Sequence, residues 1–363
     1  MTDSAAAAST VPLPTCPGFD FRGAVWSLVE RLRPGETTSY GAVAKALGEP
    51  QAAKAVASEL LGTHDGDGCP CHRVTRQNEA GLWAHGGTGE KTERLAGEGV
   101  LSLSGSRVEL PREDRFSPLR EWQSLAATAA RSVRPRVDFS KHVVAVDVSY
   151  AESTAVAACV RWTPGGVADD TIALAQVRDA FPYVSGYLAF RELPAMTAAV
   201  ERYHTQFGCP TVIVVDGSGR LHPREAGVAS CLAAVLQLPT VGVTKRHLRG
   251  TVVDATASES PISVDGETWG TRFRFATRRS KKPIELDVSP GGGGNAAEAA
   301  NLIRSMLDGH RLPAGLRDAD RLSRFEARRL LCAPAARPNE DSKQESVRAP
   351  VGTRTSKQSS RKP

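Results

Sequence analysis

The chain has 363 residues, enough for two domains, and its hydrophobic content of 40% is sufficient to fill two cores. A net charge of +6 favours association with polyanions such as nucleic acids. No apolar run approaches the roughly 18 residues that a membrane-spanning helix needs, and the N-terminus lacks the charge and apolar order of a secretion signal. Seven cysteines without disulfide spacing fit a reducing compartment. We therefore expect an intracellular monomer that binds no membrane, in the cytoplasm or nucleoid, or in the nucleus of a eukaryote.

The two ends of the chain differ in composition from its middle. Residues 1–17 are rich in Ala, Ser, Thr and Pro, and we expect them to be disordered. Residues 331–363 form a basic tail with seven Lys/Arg and three Asp/Glu, which gives 7 − 3 = +4 of the net charge. Between these ends, the pattern predicts one domain over 18–110, a polar linker at 111–118 and a second domain over 119–330.

A helix-turn-helix is predicted early in the first domain. One short amphipathic helix begins near Ser39 and ends at Gly48, and a second runs from Pro50 to Leu60. The Gly-Glu-Pro turn that joins them is typical of this motif, which commonly binds DNA.

The segment Pro70-Cys-His-Arg-Val74 follows this motif and places a cysteine directly beside a histidine. An imidazole, a helix N-terminus or a nearby cation lowers the pKa of a thiol and makes it a nucleophile. Cys71 is therefore a candidate alkyl acceptor, and the alternative for a lone cysteine is a buried apolar residue. A zinc site built from His64, Cys69, Cys71 and His72 is disfavoured, because the ligands lie too close in sequence for paired zinc-ligand spacing.

Residues 18–100 resemble the active-site domain of alkylguanine-DNA alkyltransferases. The resemblance rests on this PCHRV box, the TSYG helix entry at 38–41, the glycine-rich loop at 81–91 and Glu98-Gly99. It implies that Cys71 accepts the alkyl group and that His72, oriented by Glu98, takes the thiol proton through a water. The residues that it places on DNA, where a nucleotide is rotated out of the duplex, are Tyr40, Lys54 and Arg73.

Two positions depart from the alkyltransferase pattern. Lys54 stands where the family has an arginine that fills the vacated base stack, and lysine lacks the planar guanidinium. Thr63 stands where a hinge asparagine is expected, and the family's separate N-terminal domain is missing. A sensor that binds alkylguanine without transferring the alkyl group is therefore the alternative, and Cys71 favours transfer.

The second domain is predicted to be an α/β sheet of ribonuclease-H-like order, which makes the chain a multidomain α/β protein. The predicted helices cover 119–132, 190–204 and 223–236, and the predicted strands cover 142–150, 153–162, 172–177, 211–216 and 240–244. Two strands lead into carboxylates at Asp147 and Asp216, and Glu192 lies near the start of a helix. Carboxylates so placed suit Mg²⁺, for which Mn²⁺ can substitute. Either Asp alone would more simply be a strand-end cap, and it is the two together that favour a metal site.

Four segments of this domain resemble endonuclease V, and they are Val146–Tyr150, Phe181–Glu192, Val215–Ser230 and Gly242–Lys245. The resemblance implies cleavage at the second phosphodiester 3′ to deoxyinosine in DNA, or to inosine in RNA, with no organic cofactor. Asp147, Glu192 and Asp216 would hold the metal, and Lys245 would position the phosphate.

The same resemblance implies how the damaged base is recognised. His222 would line the site, and a wedge made of Pro182, Tyr183, Val184 and Ser185 would separate the strands. Gly217 and Gly219 would let the backbone approach the extruded base closely.

A glycine run at 291–294 departs from the endonuclease V pattern. Gly292 replaces an expected histidine, and Glu298, a candidate fourth metal ligand, falls about one place late. We expect this run to be flexible and to weaken the metal site. The sequence as a whole predicts a bifunctional repair protein acting on single- and double-stranded DNA with alkylguanine or deoxyinosine. The alternative is an alkylguanine sensor fused to the nuclease.

Overall fold

The predicted helix-turn-helix forms the centre of the first domain. The computed structural model describes residues 18–61, 68–76, 89–100, 106–136, 140–164, 166–277 and 280–332. In the first domain these residues form α1 (Phe21–Val29), β1 (Thr38–Ser39), α2 (Tyr40–Ala46), α3 (Ala53–Leu61), β2 (Val74–Thr75) and α4 (Gly89–Gly97). The disordered-end predictions, Thr63, His64 and most of the glycine-rich loop lie outside the described residues.

Local sequence signals explain where these helices begin. Asp20 accepts a hydrogen bond from Gly23 N (2.9 Å) and caps α1, and Ser39 Oγ accepts one from Ala42 N (3.1 Å) and caps α2. Gly48 ends α2 with a φ of 92°, a value that favours glycine. A 3₁₀ turn over Pro50–Ala52 then leads straight into α3. The sequence therefore fixes both helices and the turn between them.

The second domain is built on a mixed sheet, which confirms the predicted multidomain α/β fold. Its strands are β3 (Val143–Ala151), β4 (Thr154–Thr163), β5 (Gly166–Val177), β6 (Val212–Asp216), β7 (Thr240–Thr244), β8 (Thr251–Val252), β9 (Glu259–Val264), β10 (Glu267–Thr277) and β11 (Ser280–Gly292). Within the described residues the sheet has nine strands, in the order β5-β4-β3-β6-β7-β11-β10-β9-β8. Only β3, β6 and β7 are parallel to one another.

Helices cover both faces of this sheet. They are α5 (Ser117–Arg131), α6 (Leu188–Phe207), α7 (Val228–Leu236), α8 (Ala296–Met306) and α9 (Ala314–Cys332). Alternate residues of β3 point to opposite faces, so Val144 and Val146 pack with α5, α6 and α7 while Val143 and Ala145 pack with α8 and α9. No helix of the described residues is both long and apolar enough to cross a membrane.

The antiparallel half of the sheet, β8 to β11, was not among the predicted strands. Arg272 of β10 pairs with Glu285 and Asp287 of β11, and these charged residues alternate with the buried side chains of Phe273, Leu286 and Val288. The alternation that indicates a strand is therefore present in the sequence, and the prediction overlooked it. Residues 217–227 form a loop, and α7 therefore begins at Val228 rather than at 223.

The segment predicted as a linker is part of the packed structure. Glu113 N donates to Ala46 O (2.8 Å), Phe116 N donates to Leu47 O (3.3 Å), and the Phe116 side chain is buried. The described residues from 18 to 331 form one compact unit. The boundary at 111–118 therefore does not separate two bodies.

Two candidate active sites

Cys71 lies in a 3₁₀ turn, Cys71–Arg73, immediately before β2. Because β2 pairs in parallel with β1, and β1 runs directly into α2, this turn is held beside the helix-turn-helix. The Cys71 side chain is buried. Burial, and then the proximity of Cys71, raise the pKa of the neighbouring Cys69 thiol to about 11, so Cys69 stays protonated at neutral pH. Cys69 is therefore not a candidate nucleophile.

Glu98 links the residues that flank Cys71. Its carboxylate accepts hydrogen bonds from His72 Nε2 (2.9 Å), from Arg73 Nη2 (2.6 Å) and from the backbone N–H of Gly35 (3.1 Å). Partial burial alone would raise the pKa of Glu98, but the bonds from Arg73 and His72 outweigh burial and lower it to about 2. Glu98 is therefore ionised at neutral pH and can only accept.

The ionised Glu98 fixes the tautomer of His72. Since a carboxylate cannot donate, His72 Nε2 must carry the proton, which leaves Nδ1 of a neutral imidazole as an acceptor. Within the described residues, His72 Nδ1 is buried without a hydrogen-bond partner. Nδ1, the other nitrogen of the His72 ring, is thus available to receive a proton.

The predicted DNA-contacting residues of this domain do not share one environment. Tyr40 is buried at the start of α2, Arg73 is occupied by Glu98 and by Leu32 O (2.6 Å), and Lys54 is exposed on the first turn of α3. Of the three, Lys54 has the accessibility that a DNA contact needs in this conformation.

The second site lies where the parallel pairing of β3 and β6 ends. Their register runs to Val146 opposite Val215, so the next residues of the two strands, Asp147 and Asp216, stand side by side. Lys245, just after β7, donates to Asp216 Oδ2 at 3.1 Å. Glu192, in the second turn of α6, accepts from the Tyr150 hydroxyl at 3.1 Å through Oε1. Three predicted metal ligands and Lys245 are thus brought together at the end of the parallel part of the sheet.

A fourth carboxylate, Asp320, reaches this edge from α9. Gly315 lets α9 lie close against β3, since a Cβ there would already stand 3.1 Å from Ala145 Cβ. Further along, Ser323 Oγ lies 2.9 Å from Ser149 Oγ. Asp320 therefore lies level with Asp147 and raises its pKa. The sequence reasoning missed Asp320, although small residues every four positions along α9 indicate a helix face that packs closely.

The structure contradicts the prediction that Glu298 is a metal ligand. Glu298 and Asn295 form a capping box at the start of α8, with Glu298 Oε2 accepting from Asn295 N at 2.9 Å. β11 runs antiparallel to β7, so Gly292 pairs with Thr240, at the end of β7 remote from Lys245. The glycine run is correspondingly not a flexible loop at the site: Gly291 and Gly292 lie buried in β11.

The two buried carboxylates of this site, Asp147 and Glu192, have raised pKa values. Burial, followed by the charges of Asp216, Asp320 and Glu192, raises the pKa of Asp147 well above its usual value. Burial is also the main reason that the pKa of Glu192 rises to about 8, and its Oε2 has no hydrogen-bond partner among the described residues. No three His, Cys, Asp or Glu side chains of the described chain form a ready ligand set. The carboxylate oxygens gathered here nevertheless fit a hard divalent cation, which would favour their ionised form.

A cavity of about 310 Å³ opens beside these carboxylates. Its lining includes Tyr183, Asp216, Gly217 and His222. Burial and the charge of Arg224 lower the pKa of His222 to about 4, so this side chain is neutral at pH 7. Tyr183 is exposed, as a residue that stacks on a base needs to be.

Three residues predicted near the base have other surroundings. Val184 is buried in the core, and Pro182 is partly buried. Gly219 permits a close approach, but to the backbone of β11: a Cβ there would lie 2.5 Å from Pro290 O. Close packing against a strand thus explains Gly219 without a base.

The family model for endonuclease V matches residues 124–321, which is more than half of the chain. The chain belongs to the endonuclease V family. The catalytic domain of human endonuclease V is 27% identical, with a TM-score of 0.52, and the match covers 61% of this chain and all of that one. A Ciona intestinalis endonuclease V, solved with DNA containing an inosine followed by a ribo-adenosine, is 25% identical (TM-score 0.50; 59% and 98% covered).

The region before the endonuclease V domain also matches a known family. The model for the DNA-binding domain of 6-O-methylguanine DNA methyltransferase matches residues 20–100. A bifunctional methyltransferase/endonuclease of Thermoplasma volcanium is 31% identical over 316 residues, which cover 85% of this chain and 90% of that protein. The predicted combination of an alkyltransferase-type domain with an endonuclease V domain is thereby confirmed.

Proposed function

We propose that the endonuclease V domain cleaves strands of DNA, and of RNA, 3′ to a deaminated adenine. The observation that carries this proposal is the group of buried carboxylates beside a cavity large enough for a base. Pockets for small ligands begin at about 300 Å³. Asp147, Glu192 and Asp216 would hold Mg²⁺ or Mn²⁺, with Asp320 as a further ligand. The ion supplies an activated water and charge stabilisation of the leaving oxygen.

The protein's own side chains would orient the strand around this centre. The ammonium group of Lys245 lies at the carboxylate edge and would hold the attacked phosphate. Tyr183 would stack in the gap left by the extruded base. Neutral His222 accepts from Arg224 N through Nδ1 (3.2 Å), so its proton lies on Nε2. The backbone carbonyl of Gly186 also interacts with this imidazole, so a 6-oxo group would compete with that carbonyl for the proton.

Nicking of a deoxyinosine strand by the full chain tests this function. Asp147→Asn should abolish nicking, as should a chelator, while Asp265→Asn should not, because Asp265 is exposed in the β9–β10 turn and Asn tolerates its φ of 52°. Nicking by Asp147→Asn at the wild-type rate would contradict the assignment. Matched deoxyinosine and inosine strands would show which nucleic acid is preferred.

We also propose that the first domain transfers an alkyl group from alkylguanine to Cys71. The available Nδ1 of His72, fixed by Glu98, supports this step: it would take the Cys71 proton through a water. The thiolate would then displace guanine from the alkyl carbon, so that the carbon–oxygen bond breaks as a thioether forms. A thioether offers water no leaving group, and each protein would act once.

Intact-mass measurement after incubation with a methylguanine oligonucleotide tests the transfer. The wild type should gain one methyl group on the peptide containing Cys71. Cys71→Ser should gain none, and the matched variant Cys209→Ser should behave as the wild type. Tight binding without a mass gain would replace transfer by the sensor function.

A further inference from the structure

The cavity beside the carboxylates is not walled by the endonuclease V domain alone. Most of its lining comes from the loops before α6 and before α7, but one part comes from the turn of the helix-turn-helix, at Glu49 and Gln51. Gln51 is exposed, and among the described residues its side-chain amide has no hydrogen-bond partner. A residue of the first domain thus presents an unused donor and acceptor at the base pocket.

Glu49 holds this turn against the second domain. Its Oε2 accepts from the hydroxyl of the buried Tyr187 at 2.8 Å, and its Oε1 accepts from the backbone N–H of Gln51 at 3.2 Å. One carboxylate therefore joins Gln51 to Tyr187, which lies two residues after the wedge and directly before α6. Arg224 stacks on the other side of Tyr187, 4.5 Å from the ring centre.

Aromatic packing keeps the two domains in this relation. The ring centre of Phe181, the residue before the wedge, lies 5.9 Å from that of Phe19 and 6.1 Å from that of Phe21, both in the first domain. Phe116 lies 5.0 Å from Tyr187. Rings at these separations attract one another beyond the area that they bury. The position of Gln51 is thus a fixed property of the fold.

We propose that the first domain completes the base pocket of the nuclease, with Gln51 contacting the extruded purine and Glu49 acting as a positioning residue through Tyr187. This inference rests on the proposed nuclease function. A 6-oxopurine presents an acceptor (O6) beside a donor (N1–H), and a carboxamide offers the complementary pair. An amide can rotate to match adenine as well, so Gln51 adds affinity for the extruded purine, and the selection of the 6-oxo group falls to the donor on His222.

Binding of a labelled deoxyinosine strand to the full chain, measured with a chelator present, tests the role of Gln51 without cleavage. Gln51→Ala should raise the Kd by about 3–10-fold, the effect of one hydrogen bond, and should leave unchanged the Kd for the same strand with an abasic site in place of the inosine. Gln206→Ala is the matched control, because Gln206 is exposed near the end of α6 opposite the pocket. An unchanged ratio of the two Kd values in Gln51→Ala would overturn the proposal.

A double-mutant cycle tests the positioning role of Glu49. Glu49→Ala and Tyr187→Phe each remove the Glu49–Tyr187 bond, and each should raise the Kd for the deoxyinosine strand by about 3-fold. The Kd of the double variant should be no higher than the higher of the two single-variant Kd values, because the bond can be lost only once. Effects that multiply, or a loss of thermal stability without a change in the Kd ratio, would overturn this role.

The wild type separates the two possible failures. If it shows no preference for the deoxyinosine strand and does not nick it, the proposed nuclease function is wrong. If it shows that preference and Gln51→Ala retains it, the nuclease function stands and the contribution of the first domain is wrong.

Discussion

Glu98 accepts from three groups at once, and its ionisation follows from them. Replacing it by Gln leaves a side chain that cannot bind Arg73 and His72 in the same way. We expect Glu98→Gln to slow methyl transfer and to lower the free energy of unfolding by about 1–3 kcal/mol at pH 7. A transfer rate equal to that of the wild type would contradict the role of Glu98 in fixing His72.

The pH dependence of this loss has a defined sign. The pKa of Glu98 is about 2 in the folded protein and about 4.5 in an unfolded chain, so the stabilisation is complete above pH 4.5 and is lost as the pH falls towards 2. The difference in unfolding free energy between wild type and Glu98→Gln should therefore be constant from pH 5 to 7 and shrink below pH 4. Urea unfolding at several pH values measures it, and a difference that grows in acid would contradict the assignment.

Asp320 and Glu298 offer a direct comparison at the nuclease site. Asp320→Asn should lower the apparent affinity for Mg²⁺ in the nicking assay by about 10–100-fold, the range found when groups supporting a metal are removed. Glu298→Gln should titrate with metal as the wild type does, because Glu298 caps α8. If Glu298→Gln lowered the apparent metal affinity and Asp320→Asn did not, Glu298 and not Asp320 would be the further metal ligand.

At the scale of the elements, the strand β11 explains why the glycine run is present. A Cβ on Gly292 would lie 2.6 Å from Ala130 O and 3.0 Å from Ala233 Cβ, so α5 and α7 pack directly on the strand. Gly292→Ala should cost about 1–3 kcal/mol of stability by overpacking, without changing the preference between Mg²⁺ and Mn²⁺. A changed metal preference at unchanged stability would show that the run belongs to the metal site after all.

The same element shows how far the sequence predicts the fold. α5, β3, β4, α6, β6 and β7 follow from hydrophobic periodicity. Asp216 and Glu192 follow from where β6 ends and α6 begins, whereas Asp147 lies in the middle of β3 and not at its end. β9 to β11 were overlooked although their buried apolar residues alternate with polar and charged ones. Asp320 was missed because only the packing of α9 along β3 shows which of its carboxylates reaches the site.

At the scale of the molecule, the turn that precedes α3 contributes Gln51 to the wall of the nuclease pocket. Lys54, a predicted DNA contact, lies three residues further on, in the first turn of α3. We expect a methylguanine duplex to compete with a deoxyinosine strand for this surface. With Cys71→Ser protein, the duplex should raise the apparent KM for nicking without changing kcat, and more strongly than an undamaged duplex does. Equal inhibition by both duplexes would contradict a shared surface.

The continuous core has a consequence for how long the protein survives in use. Buried apolar side chains run without a break from α1–α3 through Cys71 and Phe116 to β3 and β6. A methyl group added to the buried Cys71 sulfur must be accommodated in that core, and overpacking of this kind costs about 1–3 kcal/mol. Since both domains share the core, a protein that has repaired one alkylguanine should unfold more readily as a whole and lose its nuclease at a lower temperature. The temperature at which nicking activity is lost, compared before and after methylation, tests this prediction. Equal temperatures would show that methylation destabilises the first domain alone.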